Sequence, residues 1–235
     1  MYDADLTELD LSVKLSVDPK TVRNWMRGQL PHPHRREALA RLLGAEAEAI
    51  WPELSALATA TTRPAEIAGV YPRRSAISQT SWLSFFGAAE SEIGILAYSA
   101  LFLAEDARIV RLLSEKCEAG VQIKIALGCP DGENIAQRGA EEEIGESMGA
   151  KIRNSLALLS SLVQRDGVEL KLHDTVLYNS MYRADDQLLV NQHAYGVPAA
   201  SSPVYHYRHS GDSEMLRSYF ASFDAIWAKG VPSRG

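Results

Sequence analysis

Between Leu172 and Gly196 the chain reads LHDTVLYNSMYRADDQLLVNQHAYG. This stretch holds His173, Thr175, Asn179, Asn191, His193 and Tyr195, and the segment PVYHYRH that follows adds His206 and Arg208. Imidazole, amide, hydroxyl and guanidinium groups hold phosphate or carboxylate through hydrogen bonds and charge. An imidazole is also a nucleophile and a proton carrier near neutral pH. A zinc site made of His173, His193 and His206 fits in composition, but no acidic or cysteine ligand stands at a defined spacing, so no metal is assigned. No other cofactor is implied.

Something must bring these side chains together. Arg183 to Gln187, RADDQ, reads as a turn between two strands. If residues 184–186 form the loop, Arg183 faces Gln187 and odd residues pair with odd. Side chains alternate along a strand. His173, Thr175 and Asn179 then share a polar face with Asn191, His193 and Tyr195, while Val176, Tyr178, Leu188 and Val190 point to the core. PVYHYRH adds a strand with His206 and Arg208 on one side, and Tyr71, Arg73 and Arg74 are placed to close over the pocket from upstream.

The scaffold is legible as alternating elements. A helix is expected from about Thr80 to Ala89, then a buried strand in EIGILAYSALFL. The amphipathic helix ARIVRLLSEKCEAG closes on Gly120, and VQIKIALG is the next strand. A strand–helix–strand unit of this length implies parallel pairing with a right-handed crossover. The acidic stretch GAEEEIGESMGA begins a surface helix, another helix runs from Lys151 to Arg165, and VELKLHD is the third strand. EMLRSYFASFDAIWAKG is a final helix with Leu216, Tyr219, Phe220, Phe223, Ile226 and Trp227 as its apolar stripe.

The first sixty residues differ in character. One helix is expected from Thr7 to Leu15, with Leu11 and Leu15 inward. Asp18 caps a second, Pro19 takes its first position, Val22 and Trp25 face the core, and Gly28 ends it. A third runs from Arg35 to Leu43 and buries Leu39, Leu42 and Leu43. Two short helices joined by a tight turn make a helix-turn-helix, whose second helix enters the major groove. Here that helix offers Lys20, Thr21, Arg23, Asn24 and Arg27 to DNA. Seven basic residues lie between Lys14 and Arg41, opposed only by Asp18 and Glu37, in a chain of net charge −6. Positive charge is thus concentrated where phosphates would lie.

The chain has 235 residues, 46% of them apolar, which suits a small domain followed by a larger one and excludes wholesale disorder. The net negative charge excludes a uniformly basic nucleic-acid coat. Cys117 and Cys129 read as core thiols, which points to a reducing cytoplasm. The acidic N-terminus has no signal-peptide pattern, no apolar run is long enough to span a bilayer, and no membrane partner is expected. Residues 1–58 are assigned to the helix-turn-helix domain, 59–69 to a linker and 70–235 to the second domain.

Two resemblances follow from these motifs. VDPKTVRNWMRG, followed by LARLLG and IWPE, resembles the XRE (Cro/C1-type) helix-turn-helix of bacterial regulators. That family places a further helix before LTELDL, where only MYDAD stands here. The order strand, helix, strand, helix, strand, hairpin, helix over roughly residues 70–230 resembles one half of the phospholipase D superfamily. Enzymes of that family carry H-x-K-x4-D; here His173 matches the histidine, Thr175 stands at the lysine and Ser180 at the aspartate. The resemblance implies a phospholipase-D-like α/β domain with a mixed sheet that has lost its hydrolytic machinery, behind a small all-α DNA-binding domain. WhiJ-like developmental regulators of actinobacteria have this arrangement. The expected function is a regulator of transcription that binds double-stranded DNA and whose second domain forms a homodimer, binds a small ligand (phosphate-bearing compounds included), or does both. The alternatives are a phosphodiesterase or nuclease, and an antitoxin-like regulator docking a partner protein through Glu141–Glu146.

Overall fold

A computed structural model describes residues 6–45, 47–51, 66–211 and 213–233. The chain divides into two compact units, Met1–Arg63 and Pro64–Gly235. The segment preceding LTELDL and residues 59–65 of the expected linker lie outside the described residues. The last part of that linker is instead structured, because a strand begins at Ile67.

The first unit is all-α. Helix α1 spans Glu8–Leu15 behind a capping box, in which the Thr7 side chain accepts from the Asp10 amide at 3.2 Å and Asp10 accepts from the Thr7 amide at 2.8 Å. Ser16, in the left-handed region at φ 50°, turns the chain after one residue. Asp18 caps α2 (Pro19–Met26) by accepting from the Lys20 amide at 2.7 Å. Helix α3 spans Pro33–Leu43, two residues earlier than its apolar pattern alone suggests, because Pro33 presets the first helical φ. It ends on Gly44 at φ 62°, and a last turn, α4, covers Ala47–Ile50. Leu11, Leu15, Val22 and Leu39 are the core, with Trp25, Leu42, Leu43 and Trp51 packed against it.

The second unit is α/β. Its strands are β1 (Ile67–Tyr71), β2 (Glu92–Ala97), β3 (Gln122–Gly128), β4 (Val168–His173), β5 (Asn179–Ala184), β6 (Gln187–Gln192), β7 (Val204–Arg208) and β8 (Val231–Pro232). They form one mixed sheet in the order β1-β7-β6-β5-β2-β3-β4-β8. The β2–β3 and β3–β4 pairs are parallel, and the other pairs are antiparallel. The helices are α5 (Gln79–Gly87), α6 (Leu101–Ala104), α7 (Ala107–Glu118), α8 (Glu133–Glu141), α9 (Ser147–Val163) and α10 (Glu214–Lys229). Helix α9 begins four residues before the expected Lys151, so the acidic run divides between the end of α8 and the turn before α9.

Helix α5 covers one face of the sheet, where the Trp82 ring meets Tyr182 edge-on at 4.9 Å. Helix α10 covers the other. A Cβ at Gly94 would meet the Phe223 ring at 3.0 Å and the Arg183 Cβ at 3.2 Å, so the glycine lets the ring lie close against β2. Among the described residues no helix is long and apolar enough to cross a membrane.

Candidate functional site

The β5–β6 hairpin decides which polar side chains meet. Ala184 pairs with Gln187, Met181 with Val190 and Ser180 with Asn191. The turn is therefore the two residues Asp185 and Asp186, not three, and odd residues pair with even. Asp185 adopts φ 50°, and its carboxylate accepts from the amides of Glu90 (2.6 Å), Ser91 (2.9 Å) and Glu92 (2.7 Å). A one-residue change of register moves every side chain of a strand to the other face. Asn179 is consequently turned away from Asn191, and Ser180 takes its place. Of the four residues expected in the core, Leu188 and Val190 are buried, whereas Val176 and Tyr178 are 47% and 79% exposed.

Ser180 and His193 form a closed pair. Ser180 Oγ lies 3.0 Å from His193 Nε2, and His193 Nδ1 lies 3.1 Å from the Leu177 carbonyl. A carbonyl only accepts, so Nδ1 carries the proton, Nε2 accepts, and Ser180 donates. Burial, followed by the positive charges of Arg138 and Arg74, pushes the His193 imidazole down to about 4 against the bond to Leu177, so it is neutral at pH 7. The Tyr182 hydroxyl also hydrogen-bonds Ser180.

His173 is tied down separately. Its Nδ1 accepts from the Thr175 amide at 3.3 Å, and its Nε2 is 3.2 Å from the Ala97 carbonyl. Both ring nitrogens are thus satisfied in the neutral form, and only 4% of the residue is exposed. Burial holds this imidazole below its ordinary value, outweighing the Ala97 bond and the nearby Asp174 carboxylate. Tyr98 stands between the two imidazoles, with its ring stacked on His193 at 5.5 Å and tilted against His173 at 6.2 Å. Its hydroxyl accepts from the Leu177 amide at 2.8 Å.

Beside this pair lies a cavity of about 250 Å³ whose lining includes Arg74, Tyr98, Phe102, Lys151, Ser180 and His193. His173 and Thr175 do not line it. Asn191 is fully buried below, and its amide nitrogen is turned to the carbonyls of Ser202 and Pro203, both at 3.2 Å. Tyr195 is 82% exposed on the turn after β6. His206 and Arg208 share the sheet face of Ser180 through Leu189 and Gln187. They line a second cavity instead, of about 390 Å³ with Tyr71 and Phe85, where both hydrogen-bond the Gln187 side-chain oxygen. The eight residues expected in one pocket are therefore dispersed, and only His193 lines the cavity beside Ser180.

Sequence reasoning placed Arg74 near the site but passed over Tyr98, Phe102, Lys151 and the pairing role of Ser180. The first three come from separate elements brought in by tertiary packing, with no local motif to mark them. Among the described residues no group of three or more His, Cys, Asp or Glu side chains is arranged to hold a metal ion. The acidic segment is partly spent internally, since buried Arg138 pairs with Glu142 at 2.7 Å and Glu141 at 3.5 Å.

In the first unit, Lys20 and Arg27 are exposed on α2 and its cap, with no ion-pair partner among the described residues. Thr21 and Asn24 are partly buried on the same helix. Arg23 is exposed but engaged, its guanidinium 2.8 Å from the Glu8 carboxylate. Arg35 donates to the Leu15 carbonyl and secures the end of α1.

The chain is similar to the solved structure of TrmBL2, an archaeal chromatin protein described as showing a novel mode of DNA binding. Identity is 16%, over 92% of this chain and 72% of that one, with a TM-score of 0.46. It is also similar to Nuc, a phospholipase D family member from Salmonella typhimurium, at 16% identity over 71% of this chain and 96% of that one, with a TM-score of 0.42. No family model matches the sequence, and no curated protein matches it.

Proposed function

We propose that this protein is a sequence-specific DNA-binding regulator of transcription, with an XRE-type helix-turn-helix and a degenerate phospholipase-D-like second unit of the WhiJ-like kind. The observation that carries this reading is the division of α2. Val22 and Trp25 pack inward, while Lys20 and Arg27 are left exposed and without ion partners among the described residues. Lysine and arginine hold phosphate or read guanine, and Asn24 suits adenine. A single recognition helix makes few contacts. A homodimer would present two of them about one DNA turn apart to an inverted repeat.

The test is an anisotropy titration of a labelled duplex at about 50 and 200 mM salt. Binding that weakens steeply with salt supports the reading. Binding indifferent to salt, or none at either concentration, rejects it.

In this reading the second unit binds an anionic small ligand and does not hydrolyse phosphodiesters. Thr175 supplies no cation where the enzymes have lysine, Ser180 no carboxylate where they have aspartate, and both nitrogens of His173 are engaged by backbone. Losing one charge aimed at a transition state typically costs ~10²–10³ in rate. Metal-free hydrolysis of bis(p-nitrophenyl) phosphate, measured beside His173→Ala, separates the two views. Equal background rates are expected, and a rate that depends on His173 would restore the enzyme reading.

A further inference from the structure

The cavity beside Ser180 and His193 has a definite polarity. Arg74 contributes a guanidinium whose Nε is buried with no hydrogen-bond partner. Its charge is held 3.7 Å over the centre of the Phe102 ring, which fixes it in place without satisfying its N–H groups. An unpaired buried donor is costly, and an anion that accepts from it would recover that cost. Lys151 also lines the cavity, with no acceptor among the described residues. Two carboxylates stand against them. Glu142 is held by Arg138 at 2.7 Å, a guanidinium that Glu141 shares at 3.5 Å, and Glu105 is exposed. By formal charge the lining is balanced, two cations against two carboxylates, but neither carboxylate pairs with Arg74 or Lys151 among the described residues, which leaves both cations open to an incoming anion.

The shape narrows the class further. A cavity of about 250 Å³ has room for about eight waters, which is the size of a molecule with one ring. Tyr98, Phe102 and Tyr182 supply aromatic walls. The neutral Ser180–His193 pair supplies polar atoms without adding charge.

Resting on the ligand-binding reading above, we propose that this cavity binds a small aromatic carboxylate, with Arg74 as its anchoring cation and Lys151 as a second, weaker one. The guanidinium fork matches a carboxylate through two parallel N–H bonds, and the ring of the acid lies among the aromatic walls.

The experiment titrates the full-length chain with benzoate, with its neutral isostere benzamide and with phenyl phosphate, followed by ligand-detected NMR. Benzoate is expected to bind about tenfold more tightly than benzamide. Arg74→Gln should remove that preference, and Lys151→Gln should weaken it by about two- to fivefold. If Arg74→Gln fails to fold, Arg74→Lys keeps the charge and loses the fork, and it should retain weakened benzoate binding. Equal binding of benzoate and benzamide, or no effect of either Arg74 variant, overturns the proposal. Tighter binding of phenyl phosphate than benzoate overturns the carboxylate assignment and leaves the ligand-binding reading standing. No binding of any probe overturns both, and DNA binding measured on the same sample reports separately on the regulator reading.

Discussion

Ser180 Oγ donates to His193 Nε2 across 3.0 Å, joining the first strand of the β5–β6 hairpin to the residue just beyond its second. Because His193 Nδ1 is committed to the Leu177 carbonyl at 3.1 Å, the serine is the partner that completes a neutral imidazole. Ser180→Ala is expected to leave Nε2 buried and unpaired and to destabilise the second unit by about 1–2 kcal/mol in urea unfolding. Ser180→Thr keeps the hydroxyl and should recover part of that loss. A silent Ser180→Ala would mean that water replaces the hydroxyl and that the pair does not organise the site.

Acid should act on the same place. His193 is held at about 4 when folded, against an ordinary value near 6.5. With a folded value below the unfolded one, the unfolded chain takes up the proton first as pH falls. The contribution is complete above about pH 6.5 and is lost progressively down to about pH 4. Its size is at most about 3 kcal/mol, and less because the ring keeps some solvent contact. Urea unfolding across that window should show stability falling with acid, and His193→Gln should flatten the dependence. The lowered His173 contributes with the same sign and leaves a residual slope.

The hairpin register rests on Asp185. Burial alone would raise its carboxyl, but the amides of Glu90, Glu92 and Ser91, together with Arg183, hold it below the ordinary carboxylate range. Asp185→Ala loses three charge-assisted hydrogen bonds and strains a residue at φ 50°. A cost of about 2–4 kcal/mol is expected in urea unfolding. Asp185→Gly relieves the backbone and isolates the carboxylate's share, so it should fall between wild type and alanine.

That turn also marks the limit of what the sequence discloses. The helix starts at Thr7 and Asp18, the glycine stop at Gly28 and the parallel β2–β3 pair were readable because caps and hydrophobic periods are local signals, whereas the apolar pattern places the start of α3 two residues later than Pro33. RADDQ is compatible with a two- or a three-residue turn. The amides that choose between them lie more than ninety residues upstream, on the approach to β2. Choosing three residues put Asn179 beside Asn191 and Tyr178 inside, and both assignments fail by one residue. Likewise, Tyr98 follows β2, Phe102 lies on α6 and Lys151 on α9, and nothing in their local sequence links them to Ser180.

On α2 the cations are not equivalent. Lys20→Ala and Arg27→Ala should each weaken DNA binding almost uniformly across sequences and reduce the salt slope by about one. Arg23→Ala should change the slope less, since Glu8 already holds its guanidinium at 2.8 Å. Glu8→Gln is expected to release Arg23 and steepen the slope. Anisotropy titrations over a salt series measure all four variants, and an Arg23→Ala effect as large as that of Lys20→Ala would show that the Glu8 pair breaks on DNA.

Reading of DNA sequence by α2, as proposed above, rests on Lys20 and Asn24. Its most direct measurement is recovery of fragmented genomic DNA by the purified chain, read by sequencing, beside Lys20→Ala/Asn24→Ala. The expected result is a short inverted repeat enriched by the wild type and lost in the double variant. No enrichment by the wild type, or equal enrichment of the same sequence by the variant, would contradict it.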